Sequence, residues 1–192
     1  MTAQEKPRTV RLSVADWTSA ALDLLVREGV AGVKISTLCA ELGVTKGSFY
    51  WHFVDINALM AAVADQWCAS QNDAVRGLDV LATMPVEQRL EWMASLLIED
   101  RAWSVERAVR DWARTNEQVA ASVQSLDQRI LEVVTNTMEE LGFDEADARL
   151  RAGTLVYAGI GFVHGRGSLP TPTLAEVRDI IAVLTSGNRP LA

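Results

Sequence analysis

Apolar residues recur three or four positions apart along nearly the whole chain, which is the spacing of amphipathic α-helices. No segment alternates apolar and polar residues for long enough to predict a β-strand convincingly. Capping residues, glycines and prolines divide the pattern into about nine predicted helices, over residues 13–28, 36–42, 45–53, 55–75, 86–100, 104–114, 117–141, 145–165 and 174–185. A break is expected over residues 77–85. The pattern therefore predicts an all-α fold.

The stretch 35–53, ISTLCAELGVTKGSFYWHF, has the pattern of two short helices separated by a tight turn. Ser36 is predicted to cap the first helix, Gly43 to supply a left-handed turn, and Thr45 to cap the second helix. The inward-facing positions of the second helix are Phe49 and Phe53. Two helices locked at a steep angle can place the second one in the DNA major groove. An ordinary helical hairpin within an all-α domain has the same local spacing and remains the alternative.

The distribution of charge favours the DNA-binding interpretation more than the net charge does. The chain has 192 residues, enough for one large domain or two small ones, and a net charge of −7. Residues 1–53 hold six basic and five acidic residues, a net charge of +1, so the remaining residues carry −8. We expect a DNA-binding domain over residues 1–54, ordered from about residue 10, and an acidic C-terminal domain over residues 55–192.

Several classes of protein are disfavoured by the composition. No apolar run approaches the length of a membrane span, and no apolar segment follows the basic N-terminus as in a secretory signal. Cys39 and Cys68 suit reduced thiols of a cytoplasmic protein, and no metal or cofactor site is indicated. With two histidines and no glycine-rich phosphate loop, an enzyme is not expected. The remaining rival is a helical small-molecule-binding or adaptor protein with little specific DNA binding.

Two segments, AALDLLVREGVAGVKIS and LCAELGVTKGSFYWHFVDINALM, resemble the tetracycline-repressor (TetR) family of transcriptional regulators. The resemblance covers about residues 13–63. It implies a three-helix DNA-binding head, a long fourth helix, and an all-helical body that binds a ligand and dimerises. It also implies a homodimer that binds a palindromic operator, usually as a repressor, and is released when a small-molecule effector enters the C-terminal domain.

The motif and the resemblance together predict a set of residues that contact DNA. Tyr50 and His52 match family positions whose side chains reach phosphates. Trp51 lies next to these contacts, but its bulk could equally pack against the first helix. We expect the ring to pack and leave the role of its N–H open. Arg8 and Arg11 could follow a groove as a basic arm or form a solubilising tail. The predicted DNA-binding residues are Lys34, Ser36, Thr37, Thr45, Lys46, Gly47, Ser48, Tyr50, Trp51 and His52.

The chain departs from the family just after this motif. Family members usually carry a lysine a few residues after the His-Phe pair, whereas residues 54–57 here read Val-Asp-Ile-Asn. The missing charge removes one phosphate contact and places Asp55 near the DNA. We expect operator binding that is somewhat weaker or less sensitive to salt.

The C-terminal part holds candidates for a ligand pocket and a dimer interface. The candidate pocket residues are Trp67, Trp92, Met93, Trp103, Arg110, Trp112, Tyr157 and His164. Ordinary core packing is the alternative for the apolar members, and a solvated, salt-bridged face is the alternative for Arg110. The small residues of the eighth predicted helix suggest close helix approach across a two-fold axis, or docking within the subunit. The candidate interface residues are Gly153, Val156, Ile160, Val177, Ile180, Ile181 and Leu184.

Overall fold

A computed structural model describes residues 12–96, 100–165 and 167–187. Over these residues the secondary structure is helical, as the apolar spacing predicts. The elements are α1 (Val14–Glu28), a 3₁₀ turn (Val30–Gly32), α2 (Ile35–Glu41), α3 (Lys46–Tyr50), α4 (Ile56–Ala82), α5 (Val86–Leu96), α6 (Asp100–Ala113), α7 (Glu117–Glu140), α8 (Glu145–Gly165) and α9 (Leu174–Thr185). Contacts divide the chain into two compact units, with the boundary between Gln66 and Trp67 inside α4.

The first unit is built around an aromatic core. Ser13 and Asp16 form a reciprocal capping box that starts α1, in which the Asp16 carboxylate accepts from the Ser13 backbone N–H at 2.7 Å. This places Trp17 on the inner face of α1, where it is fully buried. Its ring meets Phe49 of α3 edge-to-face, with centroids 5.4 Å apart. The contact fixes the short helix α3 against α1.

Helix α4 is longer than the sequence pattern predicts, and the predicted break at residue 77 is wrong. The helix continues through Gly77 to Ala82. Leu78 and Leu81 are buried one turn apart and pack with Val133 of α7. Burial of these two leucines outweighs the roughly 1 kcal/mol that one glycine costs a helix.

The boundaries of the next two helices also differ from the prediction. Helix α5 is described to Leu96 rather than to residue 100, and residues 97–99 lie outside the described part. Helix α6 begins at Asp100, four residues before the predicted Ser104. The remaining predicted helices, α7 to α9, have the expected extents to within one residue.

The second unit has its main core between α5, α7, α8 and α9. Met138 of α7, Ala152 of α8 and Val177 of α9 are all fully buried there. A capping box between Thr173 and Glu176 starts α9. At its other end, the Arg151 guanidinium donates to the Leu184 carbonyl at 2.8 Å. Within the described segments, no helix has both the length and the apolarity needed to cross a membrane.

Candidate nucleic-acid interface and ligand site

The turn between α2 and α3 is a Schellman motif, which sets the path of the chain into α3. Gly43 has φ +64°, the left-handed conformation that its sequence position predicts. The Gly43 N–H donates to the Ala40 carbonyl at 3.3 Å, and the Val44 N–H donates to the Cys39 carbonyl at 2.9 Å. These hydrogen bonds satisfy the last carbonyls of α2, and the turn gives the backbone a new direction before α3 begins.

The first helix of the motif does not start as predicted. Lys34 occupies the N-cap position of α2, and Ser36 lies in its first turn instead of capping it. The reason is that the helical ladder begins two residues early, with the Leu38 N–H donating to the Lys34 carbonyl at 3.0 Å. Ser36 is therefore exposed on the surface of α2, and its hydroxyl is not needed for a cap.

Helix α3 turns one face inward and the other outward. Phe49 is fully buried, as predicted. The helix ends at Tyr50 rather than at residue 53, so Phe53, which is also buried, lies just after it. Thr45 occupies the N-cap position, but its side chain makes no capping hydrogen bond. Lys46 is exposed at the first position of the helix, and a Cβ added at Gly47 would lie 3.6 Å from the Thr45 hydroxyl. All ten predicted DNA-binding residues are exposed or half-buried.

Trp51 corrects one expectation about this surface. Its side chain is 80% exposed instead of packing against the preceding helix. Phe49 already occupies the inner site beside Trp17, and two residues along a helix turn the side chain by about 200°. Tyr50 and Val54 are also exposed, so an aromatic and apolar surface lies beside the polar residues of α3.

The flank after the motif has a structural role that the charge pattern did not reveal. The Asp55 carboxylate accepts from the Ala58 backbone N–H at 2.8 Å, so this residue caps α4 as predicted. Arg8 and Arg11, the residues of the possible basic arm, lie outside the described residues. The described residues from 34 to 57 contain two cationic side chains, Lys34 and Lys46.

A family model described as bacterial regulatory proteins of the tetR family matches residues 18–63, which include the whole helix-turn-helix. Residues 18–63 therefore belong to the TetR family. It is 28% identical over 147 residues to the tetracycline repressor protein class A from transposon 1721 of Escherichia coli. That match covers 75% of this chain and 62% of the repressor, so the chain spans less than two thirds of the repressor's length.

Solved structures share the fold of this chain. A transcriptional regulator from Rhodococcus sp. RHA1 has a TM-score of 0.66 and 15% identity, with 91% of this chain and 94% of that chain covered. A candidate transcriptional regulator from Saccharomonospora viridis, crystallised with choline, has a TM-score of 0.69 and 19% identity, with coverage of 91% and 96%. At these identities the likeness concerns the fold.

The predicted pocket residues lie in different environments. Tyr157 is 75% exposed, His164 is exposed and Trp92 is partly exposed. Arg110 forms ion pairs with Glu106 and with both carboxylate oxygens of Asp127. The hydrogen bonds to Asp127 are the largest cause of the raised pKa of Arg110. The buried tryptophans are Trp67, Trp103 and Trp112, and Met93 packs against two core clusters. Of the predicted set, Trp103 lines a cavity.

The predicted dimer residues divide into two groups. Val177 and Ile181 are buried in the core of their own subunit, which corrects their assignment to the interface. Val156 and Leu184 are half-buried and pack against the same cluster. Gly153, Ile160 and Ile180 are half-buried. Hydropathy alone did not distinguish the inner face of α8 and α9 from the outer one, because both faces are apolar. The exposed apolar residues of these helices are Leu150, Tyr157 and Val183.

Proposed function

We propose that this chain is a ligand-responsive, DNA-binding transcriptional repressor that acts as a homodimer on a palindromic operator and is released by a small-molecule effector. The observation that carries the proposal is helix α3, whose inner residue Phe49 is buried against Trp17 while Lys46, Tyr50 and Trp51 are exposed. A rigid inner face and a polar, cationic outer face suit a helix that enters the major groove. The family membership supports the same function.

Homodimerisation is supported by the outer face of α8 and α9. Leu150 and Tyr157 lie two turns apart on α8 and are 64% and 75% exposed, and Val183 of α9 is 71% exposed. Gly153 lies between the first two, and a Cβ there would lie 3.8 Å from the Tyr157 ring. On α8, large apolar groups around a small residue suit a two-fold helix interface. Two linked heads would then read two half-sites about one helical turn apart.

A repressor of this kind requires no chemistry of its own. Bound at an operator it blocks polymerase, and we propose no enzymatic activity and no cofactor for it. Regulators of bacterial genes work where the chromosome is, so we infer a cytoplasmic location.

The test is fluorescence anisotropy with a duplex from upstream of the chain's own gene, measured at about 50 and about 200 mM salt. Lys46→Gln should weaken binding and lower the slope of log affinity against log salt by about 0.9, the value of one phosphate contact. Tyr50→Phe should weaken binding severalfold through loss of about 1 kcal/mol from one hydrogen bond. Arg107→Gln is the matched control, because it removes one positive charge from an exposed position on α6.

The outcomes separate the proposal from its rival. Binding to the upstream duplex that exceeds binding to a scrambled duplex, and that falls in Lys46→Gln but not in Arg107→Gln, supports the repressor. Equal weak binding to both duplexes, with the same salt response in all variants, contradicts it and favours the small-molecule-binding or adaptor protein.

A further inference from the structure

A small cavity in the second unit lies outside the set of residues predicted for an effector pocket, apart from Trp103. Its volume is about 60 Å³. The walls are Trp103 of α6, then Gly161, Phe162 and Gly165 from the last turns of α8, and the segment 169–172 that leads into α9. The cavity is therefore lined by two helices and one connecting segment.

The lining restricts the chemistry of a ligand. The rings of Trp103 and Phe162 are tilted by 43° with centroids 6.3 Å apart, so they form an aromatic corner. Among the described residues that line the cavity none has an ionisable side chain, and the Thr171 hydroxyl is the polar group on the connecting segment. Burying an ion beside such walls is costly, whereas an aromatic ring gains dispersion and edge-to-face contacts. The lining favours an uncharged aromatic molecule.

The size of the cavity determines how such a molecule enters. A volume of about 60 Å³ is less than half of the roughly 150 Å³ that accommodates benzene in a protein interior. A one-ring ligand therefore needs one wall to move. Pro170, Thr171 and Pro172 line both this cavity and a neighbouring open groove, so their displacement would join the two spaces. Gly167, with φ +89°, lies just before this segment in the chain.

We propose that this cavity binds an uncharged, one-ring aromatic compound, which displaces residues 169–172 as it enters. The binding of such a compound does not depend on the proposed function. The assignment of this cavity as the effector site of a repressor does rest on that function. Glu176 and Asp179 line the neighbouring groove, so an anionic compound is disfavoured at the entrance as well as inside.

The test uses three probes of similar shape in ¹⁹F NMR titrations: 4-fluorotoluene, 4-fluorobenzoate and 4-fluorobenzylammonium. Gly161 lines the cavity and a Cβ added there would meet no atom within 4 Å, so Gly161→Leu introduces a branched side chain at the cavity wall without a clash. Gly77→Leu is the matched control, because Gly77 is also an exposed helical glycine with nothing within 4 Å of an added Cβ. If circular dichroism shows that Gly161→Leu is unfolded, Gly161→Val makes the same test with a smaller group.

We expect 4-fluorotoluene to bind the unmodified chain and Gly77→Leu with the same Kd, and Gly161→Leu at least about tenfold more weakly. Both charged probes should bind the unmodified chain at least about tenfold more weakly than 4-fluorotoluene. The proposal is overturned if 4-fluorotoluene does not bind, if it binds Gly161→Leu equally well, or if a charged probe binds as tightly. No DNA is present in these titrations. A chain that binds 4-fluorotoluene but no operator would overturn the proposed function and leave this inference standing.

Discussion

Replacing Arg89 should destabilise the second unit more than replacing any surface arginine. The Arg89 side chain is 2% exposed and lies between the end of α4 and the end of α7. It donates to the carbonyls of Ala82 and Met84 at 3.0 and 2.9 Å. It also donates to the Thr137 hydroxyl at 2.9 Å and to both oxygens of Glu140 at 3.1 Å. One guanidinium thus bonds the end of α4 and the residues just after it to the last turn of α7.

The cost of Arg89→Met follows from these contacts. Methionine keeps much of the volume and removes every donor, so the two carbonyls at the end of α4 lose a charged partner. Each such hydrogen bond contributes about 1.5–3 kcal/mol, although the contributions are not additive. Glu140 is 48% exposed and can be rehydrated, which limits the loss from the ion pair. We expect the free energy of unfolding to fall by about 3–4 kcal/mol.

Urea unfolding followed by circular dichroism measures this effect. With a urea dependence of about 1–3 kcal/mol/M, the midpoint should fall by at least about 1 M. Arg89→Lys should recover less than half of the loss, because an ammonium cannot reproduce the planar fork of donors. Arg178→Ala is the control, since Arg178 and its partner Glu91 are both about half exposed. A midpoint for Arg89→Met equal to that of Arg178→Ala would refute the reasoning.

Three further predictions concern salt, pH and thiol reactivity. Ile56→Lys should steepen the salt dependence of operator binding by about one phosphate contact, and an unchanged slope in the anisotropy assay would contradict this. Hydrogen bonds from the Thr173 backbone and hydroxyl hold the pKa of Glu176 below its ordinary value. The ionised Glu176 carboxylate therefore stabilises the fold fully above pH 4.5, and this stabilisation is lost as the pH falls through the lowered pKa of the folded state. The thermal midpoint of Glu176→Gln should therefore decline less on acidification than that of the unmodified chain. Equal declines in the two proteins would show that ionised Glu176 does not contribute to stability in this way. Burial raises the pKa of the Cys39 thiol, so iodoacetamide at neutral pH should modify Cys39 only on unfolding, as mass spectrometry of a Cys68→Ala variant can check.

The parts of the fold that depend on local signals could be predicted from the sequence. The capping box at Ser13, the left-handed Gly43 and the inward-facing Phe49 each follow from residue type and spacing, and the structure has all three. The passage of α4 through Gly77 could not be predicted, because it depends on packing against Val133 from a distant helix.

The candidate sites show the same limit. The exposed face of α3 follows from helical periodicity once Phe49 is placed inside. Trp51 was wrongly expected to pack, because its spacing does not reveal that Trp17 and Phe49 already fill the inner site. For α8 and α9, apolar residues occur on both faces, so only the three-dimensional packing identifies Val177 as core and Tyr157 as surface.

The exposure of Trp51 gives the chain an intrinsic optical reporter at the centre of its proposed DNA-binding surface. Of the six tryptophans, Trp17, Trp67, Trp103 and Trp112 are 0–6% exposed, Trp92 is 39% exposed, and Trp51 is 80% exposed. An indole in water emits at longer wavelength than a buried one and is more open to collisional quenchers. Acrylamide quenching would therefore sample Trp51 preferentially, and protection of that emission by a duplex would report the approach of DNA to α3 without any attached dye.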